Sequence, residues 1–419
     1  MKDKEPTFIL SSEKKIAFTA IEQQQHELNR IAEDLWRYSE PPGKEVKSHD
    51  LLVDFLRKKG FKVKQRYMGI PTAFKAEFVK GENREHPNIG FLCQYDTGKS
   101  TNHSRGHNLS TVVSITAALG LQTFIKFAHE SVGMITVIGC PGDAENTGKI
   151  TMFDAGGFKG LDFIMVAYPA NYTNVQPNFI GSQTHRITFR GRSRVDGDRP
   201  WEVANPVNAV VLAYQNVAAT RQHFKPSWVV RGIISDGGKQ ADIMPQKACM
   251  EFLLKVPKPS EMKILGELLH RCFEGAATAT GCRFEIEPAV KEFLVNVTSN
   301  RLSELYQRNA ALMGFTFHNV KKDLEDEDDI ANVSTAIPTL KVFYYAATPA
   351  LIGTEEFARF AGSKECQFMS ILQGKALAMV GIDLMTSEDN MKEIFEEHQA
   401  DFVKKYEGID DVSVDPVQE

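Results

Sequence analysis

Asn88-Ile-Gly-Phe-Leu-Cys-Gln-Tyr-Asp96 is an apolar run that ends on an acidic residue, and His103-Ser-Arg-Gly-His-Asn108 follows it. Leu109-Ser-Thr-Val-Val-Ser-Ile-Thr-Ala-Ala-Leu-Gly120 comes next. The first piece reads as a covered strand over 88–95, the second as a loop, and the third as the start of a helix over 109–127. That helix carries Val112, Val113, Ile115, Ala117 and Ala118. A polar, ionisable loop set between a strand and an apolar helix is a candidate site on a rigid frame.

Outward from this stretch, helix and strand patterns alternate. Ile16, Ala20, Ile21, Leu28, Ile31, Ala32 and Leu35 recur near helical spacing, which predicts one long amphipathic helix over 14–38, stopped by Pro41-Pro42-Gly43. A second helix is expected over 45–59, and strands over 61–67, 73–79, 133–139 and 162–167. The alternation predicts a largely parallel sheet covered by helices. Beyond residue 181 the order becomes strand 184–190, helix 204–222, strands 227–234 and 247–256, helix 259–278 and strand 282–288. This β-α-β-β-α-β order is a ferredoxin-like split unit. An α/β pattern returns after 298 and ends in helices over 364–384 and 387–406. The expected fold is therefore α/β. A mixed, mostly parallel sheet domain covered by helices comes from 1–180 and 298–419, with an inserted α+β ferredoxin-like lid or dimerisation domain at 181–297.

Composition narrows the function classes. The chain has 419 residues, 42% of them hydrophobic and 25% charged, which suits a globular protein of two domains. A net charge of -5 argues against a nucleic-acid partner. No uninterrupted apolar run reaches the ~18–20 residues of a membrane-spanning helix. The opening MKDKEPTFILSSEKK lacks the apolar core of a signal peptide. Cys93, Cys140, Cys249, Cys272, Cys282 and Cys366 form no CxxC pair, and reduced thiols in a cytoplasmic protein are expected. Phosphate-loop, dinucleotide and serine-hydrolase signatures are missing.

Several stretches resemble one family in order along nearly the whole chain. Gln94-Tyr95-Asp96 with His103–Asn108 resembles EYDALP and HACGHN, and Gly139-Cys-Pro-Gly-Asp-Ala-Glu-Asn-Thr-Gly-Lys149 resembles GTPAEEGGGGK. Pro200-Trp201-Glu202 with Asn208 resembles the opening of a lid. Gly232-Ile-Ile-Ser-Asp-Gly-Gly238 with Ile243-Met-Pro245 resembles GIITDGG and NIIP. Asp329-Ile-Ala-Asn-Val-Ser334 and Thr354-Glu-Glu-Phe357 resemble DVGNVS and HTPEF. These are segments of the aminobenzoyl-glutamate hydrolase and Xaa-Arg dipeptidase branch of the aminoacylase and carboxypeptidase metallopeptidases.

The resemblance implies amide hydrolysis with one or two divalent metals and dimerisation through the lid. It also implies where the ligands fall. The cysteine of a Cys-x-His pair falls on Arg105, and its histidine is kept as His107. A Glu-Glu pair falls on Asp143 and Ala144, a strand histidine on Tyr168 and a C-terminal histidine on Gly353. The lid histidine falls on Val195. The lid groups that read a substrate carboxylate fall on Asp242 and Lys255, while Asp96 matches a retained acidic position. One histidine does not make a catalytic metal site, and a guanidinium repels a cation. The expectation is a homodimer with no metal and no cofactor, binding a small molecule. Histidine suits proton transfer. His107 is thus read as the acid–base group, with Asp143 orienting it and Arg105 and Tyr168 stabilising an oxyanion. Glu145 joins His103, His107 and Asp143 in the competing reading of a shifted metal site. Asp242, Lys255 and Asp96 are read as substrate-binding. Three functions follow: a repurposed metal-independent enzyme acting on an amide- or amino-acid-derived molecule, a pseudoenzyme that binds a ligand or partner, and a metal-dependent amidohydrolase with rearranged ligands.

Overall fold

The computed structural model describes residues 11–81, 87–98, 102–129, 132–142, 147–191, 200–315, 317 and 326–409. In chain order its strands are β1 (Lys62–Gln65), β2 (Phe74–Val79), β3 (Asn88–Cys93), β4 (Met134–Gly139), β5 (Phe163–Ala170), β6 (Gly181–Arg190), β7 (Val229–Asp236), β8 (Lys247–Val256), β9 (Arg283–Pro288) and β10 (Thr339–Tyr345). The chain divides into two compact units. The first takes its described residues from 11–178, 297–317 and 332–401, and the second from 179–296, 326–331 and 402–409.

The first unit holds a six-stranded sheet in the order β1-β2-β4-β3-β5-β10. β3 runs parallel to β4 and β5, and β10 runs parallel to β5. β1 and β2 are antiparallel additions at one edge. Every residue of β3 and β5 is buried, as strands covered on both faces must be. The helix His107–Phe127 lies against this sheet and against the helix Lys364–Met385. By length and composition these two helices would pass as membrane spans, although polar residues interrupt both. Within their apolar windows 94% and 78% of residues are buried inside the unit, so they serve as its central core helices.

Two glycines let these helices approach closely. A Cβ on Gly374 would stand 2.4 Å from the Thr116 Cβ and 2.9 Å from the Val113 carbonyl oxygen. A Cβ on Gly120 would stand 2.9 Å from the Ala378 Cβ. The expected helix over 14–38 is in fact two, Ser12–Gln23 and Gln25–Tyr38, broken at Gln24. Gln24 has φ -101 and ψ 0, and its amide donates to the Ile21 carbonyl. The apolar spacing continues on both sides of the break, so periodicity does not register it.

The second unit holds the sheet β7-β8-β6-β9, antiparallel throughout. Helices Pro206–Thr220 and Pro259–Thr280 complete the β-α-β-β-α-β order. Their inner faces share a core with the sheet that includes Ile187, Phe189, Phe252, Leu265 and Phe273.

Filling the helix contact should be costly, because the nearest atoms at Gly374 include backbone. Gly374→Leu is expected to lower folding stability by about 2–3 kcal/mol, read from the urea midpoint. An unchanged midpoint would show that the two helices do not pack this closely.

Candidate active site

The site is built where β3 ends and the buried helix begins. Gly106 adopts φ +67 just before the helix, and a Cβ there would stand 2.4 Å from the Pro169 Cγ. A side chain at Gly106 would push the loop off β5. This turn delivers His107 at the first helical position. Its Nδ1 lies 3.0 Å from the Asp96 carbonyl oxygen and 3.1 Å from the Asp96 Oδ1. Nδ1–H therefore donates to Asp96, which leaves Nε2 for proton transfer. Both side chains are buried, with His107 8% and Asp96 3% exposed.

Asp96 is itself held on several sides. Its Oδ2 accepts from the Gly98 amide at 2.8 Å. A Cβ on Gly142 would meet the Asp96 Cγ at 2.6 Å, so the carboxylate sits directly on that glycine. Burial works to raise the Asp96 pKa. The His107 imidazole, the Gly98 amide and the Lys149 ammonium outweigh burial and bring it to about 2. Glu45 is completely buried behind this loop. It accepts from the Gly142 amide and the Thr72 hydroxyl, each at 3.0 Å. Burial, aided by the Asp96 charge, pushes the Glu45 pKa up.

Tyr168 lies on β5 opposite Phe343 of β10. Its hydroxyl donates to the Gln94 side-chain oxygen. The ring meets His107 edge-on, with centroids 6.0 Å apart and planes at 71°. The Lys341 Nζ stands 4.3 Å from the Tyr168 ring centroid, a cation–π distance. His103 is buried beside these groups. Its Nε2 donates to the Leu35 carbonyl at 2.9 Å, and its Nδ1 is buried without a partner. Burial holds the His103 pKa down at about 4, against the pull of the Leu35 hydrogen bond.

The structure thus brings together His107, Tyr168 and Asp96. The motifs make Asp96 a substrate reader, yet it is the residue that orients His107. Asp143 and Glu145 lie outside the described residues. Arg105 is exposed, with its Cδ 4.0 Å from where a Cβ on Gly98 would stand. Asp242 and Lys255 belong to the second unit. Asp242 is exposed in a turn. The Lys255 ammonium donates to Asp326 at 2.6 Å and also to Glu327. Burial opposes the Lys255 charge, and these two bonds outweigh it and raise its pKa. Sequence reasoning missed Gln94, Lys341, Glu45 and the role of Lys149. Gln94 and Lys149 stand inside the quoted motifs and so carried some signal, whereas Glu45 and Lys341 carried none.

No family model matches the chain. Among solved structures, the YxeP protein of Bacillus subtilis, a dinuclear metal-binding peptidase of the M20 family, superposes with a TM-score of 0.64 at 18% identity. The match covers 86% of this chain and 99% of that one. The Xaa-Arg dipeptidase of Mus musculus is 30% identical over 382 residues, 89% of each chain. This chain belongs to the aminoacylase and carboxypeptidase metallopeptidase family, on its aminobenzoyl-glutamate hydrolase and Xaa-Arg dipeptidase branch. One of the subunits of the p-aminobenzoyl-glutamate hydrolase of Escherichia coli is 24% identical over 67% of this chain and 61% of its own length. Both curated relatives carry the names of the branch that the motifs resemble.

A metal centre of the M20 type finds a poor donor set here. At the positions that the resemblance assigns to ligands, Gly353 offers only an amide, which donates to the Ser104 carbonyl at 2.9 Å. The Tyr168 hydroxyl is engaged by Gln94. His107 keeps its Nε2, one imidazole donor where a catalytic centre needs about three protein ligands. Among the described residues no three His, Cys, Asp or Glu side chains are grouped to hold a metal ion. The described residues do not fit a divalent metal centre.

Two depressed pKa values make the first unit acid-sensitive. A group whose folded pKa is lowered stabilises above its unfolded value, and that stability is lost as pH falls through the folded one. For His103 the window runs from 6.5 down to about 4, a loss of about 3 kcal/mol. For Asp96 it runs from 3.8 down to about 2. His103→Gln, which keeps a donor for Leu35, should flatten the upper window in denaturation measured at stepped pH. A slope unchanged in that variant would refute the assignment.

Proposed function

We propose that this chain is an enzyme that has exchanged the metal-dependent amide hydrolysis of its family for acid–base chemistry without metal. Its substrate is a small amide- or amino-acid-derived molecule, and the reaction is a cyclisation, isomerisation or condensation. The observation that carries this reading is the buried His107–Asp96 pair. Asp96 fixes the ring and its tautomer, so Nε2 takes and returns a substrate proton. Tyr168 sits on the edge of that ring with a hydroxyl already donating, and can turn the bond from Gln94 to a developing oxyanion. Lys341, close over the Tyr168 ring, favours negative charge there.

Turnover of acyl-amino acids, dipeptides and p-aminobenzoyl-glutamate, followed by mass spectrometry with and without chelator, tests this reading. Conversion should survive the chelator. His107→Ala should reduce it by about 10²–10⁴-fold, and Asp96→Asn by a smaller factor with an altered pH profile. Hydrolysis abolished by the chelator would refute the proposal, and so would binding with no conversion, the behaviour of a pseudoenzyme.

The same reading includes a cytoplasmic homodimer. All six cysteines are buried thiols and none is in a disulfide, which suits a reducing compartment. β7 is an edge strand, and its Ile233 and Ile234 are 60% and 48% exposed. Val211 and Tyr214 are also exposed on the helix Pro206–Thr220. We read these exposed apolar residues as part of the dimer interface. Light scattering should give twice the chain mass for the native protein and one chain mass for Ile233→Lys. A native monomer at micromolar concentration would contradict the dimer.

A further inference from the structure

A cleft of about 630 Å³ opens within the second unit between the sheet and the helix Pro259–Thr280. Phe252, Leu254, Met262, Leu269 and Phe273 line it. A layer between a helix and a sheet ordinarily packs to crystal density, so a gap of this size calls for an occupant. Gly266 lines the cleft from the middle of the helix, and a Cβ there would meet nothing within 4 Å. Glycine weakens a helix interior. No neighbour requires one here, and its effect is to keep that wall open.

The chain itself leads into this cleft. Tyr406 and Ile409 belong to the second unit and line the opening. The Tyr406 hydroxyl donates to the Val295 carbonyl, and the Lys263 ammonium donates to the Ile409 carbonyl at 3.4 Å. Together these bonds bring the chain to the cleft beside the first turns of the helix. Ile409 is the last described residue. The sequence continues Asp410-Asp-Val-Ser-Val-Asp-Pro-Val-Gln-Glu419. Within it Asp411-Val-Ser-Val-Asp415 alternates strictly. Drawn out as an extended chain, it turns Val412 and Val414 to one side and Asp411, Ser413 and Asp415 to the other.

Length and charge both suit this segment. From Lys263 to Phe273 the helix rises about 15 Å, and five extended residues beyond Ile409 span about 17 Å. Entry beside the Lys263 ammonium favours a segment that opens on two aspartates. Glu267, His270 and Glu292 also line the cleft, and all three are exposed. Glu292 accepts from the Gln183 side chain at 2.6 Å, and the His270 ring stands edge-on to Phe284. A rim of exposed charges around an apolar floor suits a peptide with one apolar and one polar face, because the polar face stays in water beside them.

We infer that residues 410–415 of this chain are the occupant. The segment runs extended along the helix Pro259–Thr280, with Val412 and Val414 against the apolar walls and its acidic side in solvent. Attachment to Ile409 gives it an effective concentration in the millimolar range, which a separate partner rarely matches.

Thiol labelling of the full chain tests this, with the modified position read by mass spectrometry. The six native cysteines are buried. Ser413→Cys and Val414→Cys alter neighbouring residues that face opposite ways in the seated segment. Val414→Cys should label at least about ten-fold more slowly than Ser413→Cys. Gly266→Leu fills the cleft from the helix, and Val412→Asp removes an apolar anchor without altering any residue of the cleft. Each should bring the two rates within about two-fold of each other. The inference is overturned by equal rates in the otherwise native chain, by a difference that survives either change, or by one that disappears on dilution from micromolar to nanomolar chain, which would seat the segment on a second copy.

Discussion

The hydrogen bond from His107 to Asp96 ties the first turn of the buried helix to the end of β3. Both partners are nearly inaccessible, so neither is free to be replaced by water. The bond depends on tight local geometry. Gly106 turns the loop against Pro169, and Gly142 lets the carboxylate settle on the following loop. Behind them Glu45 grips the Gly142 amide. A long, almost fully buried helix anchors the whole arrangement from below, so the site is fixed by the core and not by its loops.

This arrangement explains how an M20 scaffold persists with different groups at its centre. The glycines and apolar helices set the positions, and they are retained. On the proposed reading the reacting groups are an imidazole, a carboxylate and a phenol, beside buried ammonium groups. Lys149 acts on Asp96 through its field, and Lys341 stands over the ring of Tyr168. Both ammonium groups are buried, so packing holds them in place. Such preorganised charge is the usual source of electrostatic catalysis.

Much of the fold was legible because it is written in local patterns. The apolar runs of β3 and β5 read as covered strands, and alternation with turn glycines gave the antiparallel unit. The break at Gln24 was not legible, since the hydrophobic stripe runs through it without change of phase. The candidate site was legible only in part. His107 and Tyr168 stood out through the resemblance, but the bond from His107 to Asp96 did not. Contacts far apart in sequence were invisible. Lys255 looked like a substrate reader, and the carboxylates of Asp326 and Glu327, some seventy residues on, already hold it. Glu45 is buried by packing that no spacing announces.

Binding of Zn²⁺ or Mn²⁺ to the chelator-stripped full chain, followed by calorimetry in parallel with His107→Ala, bears most directly on the site. A centre rebuilt around His107 and Asp96 predicts no saturable site that depends on His107. One or two tightly bound ions per chain, lost in His107→Ala, would contradict it.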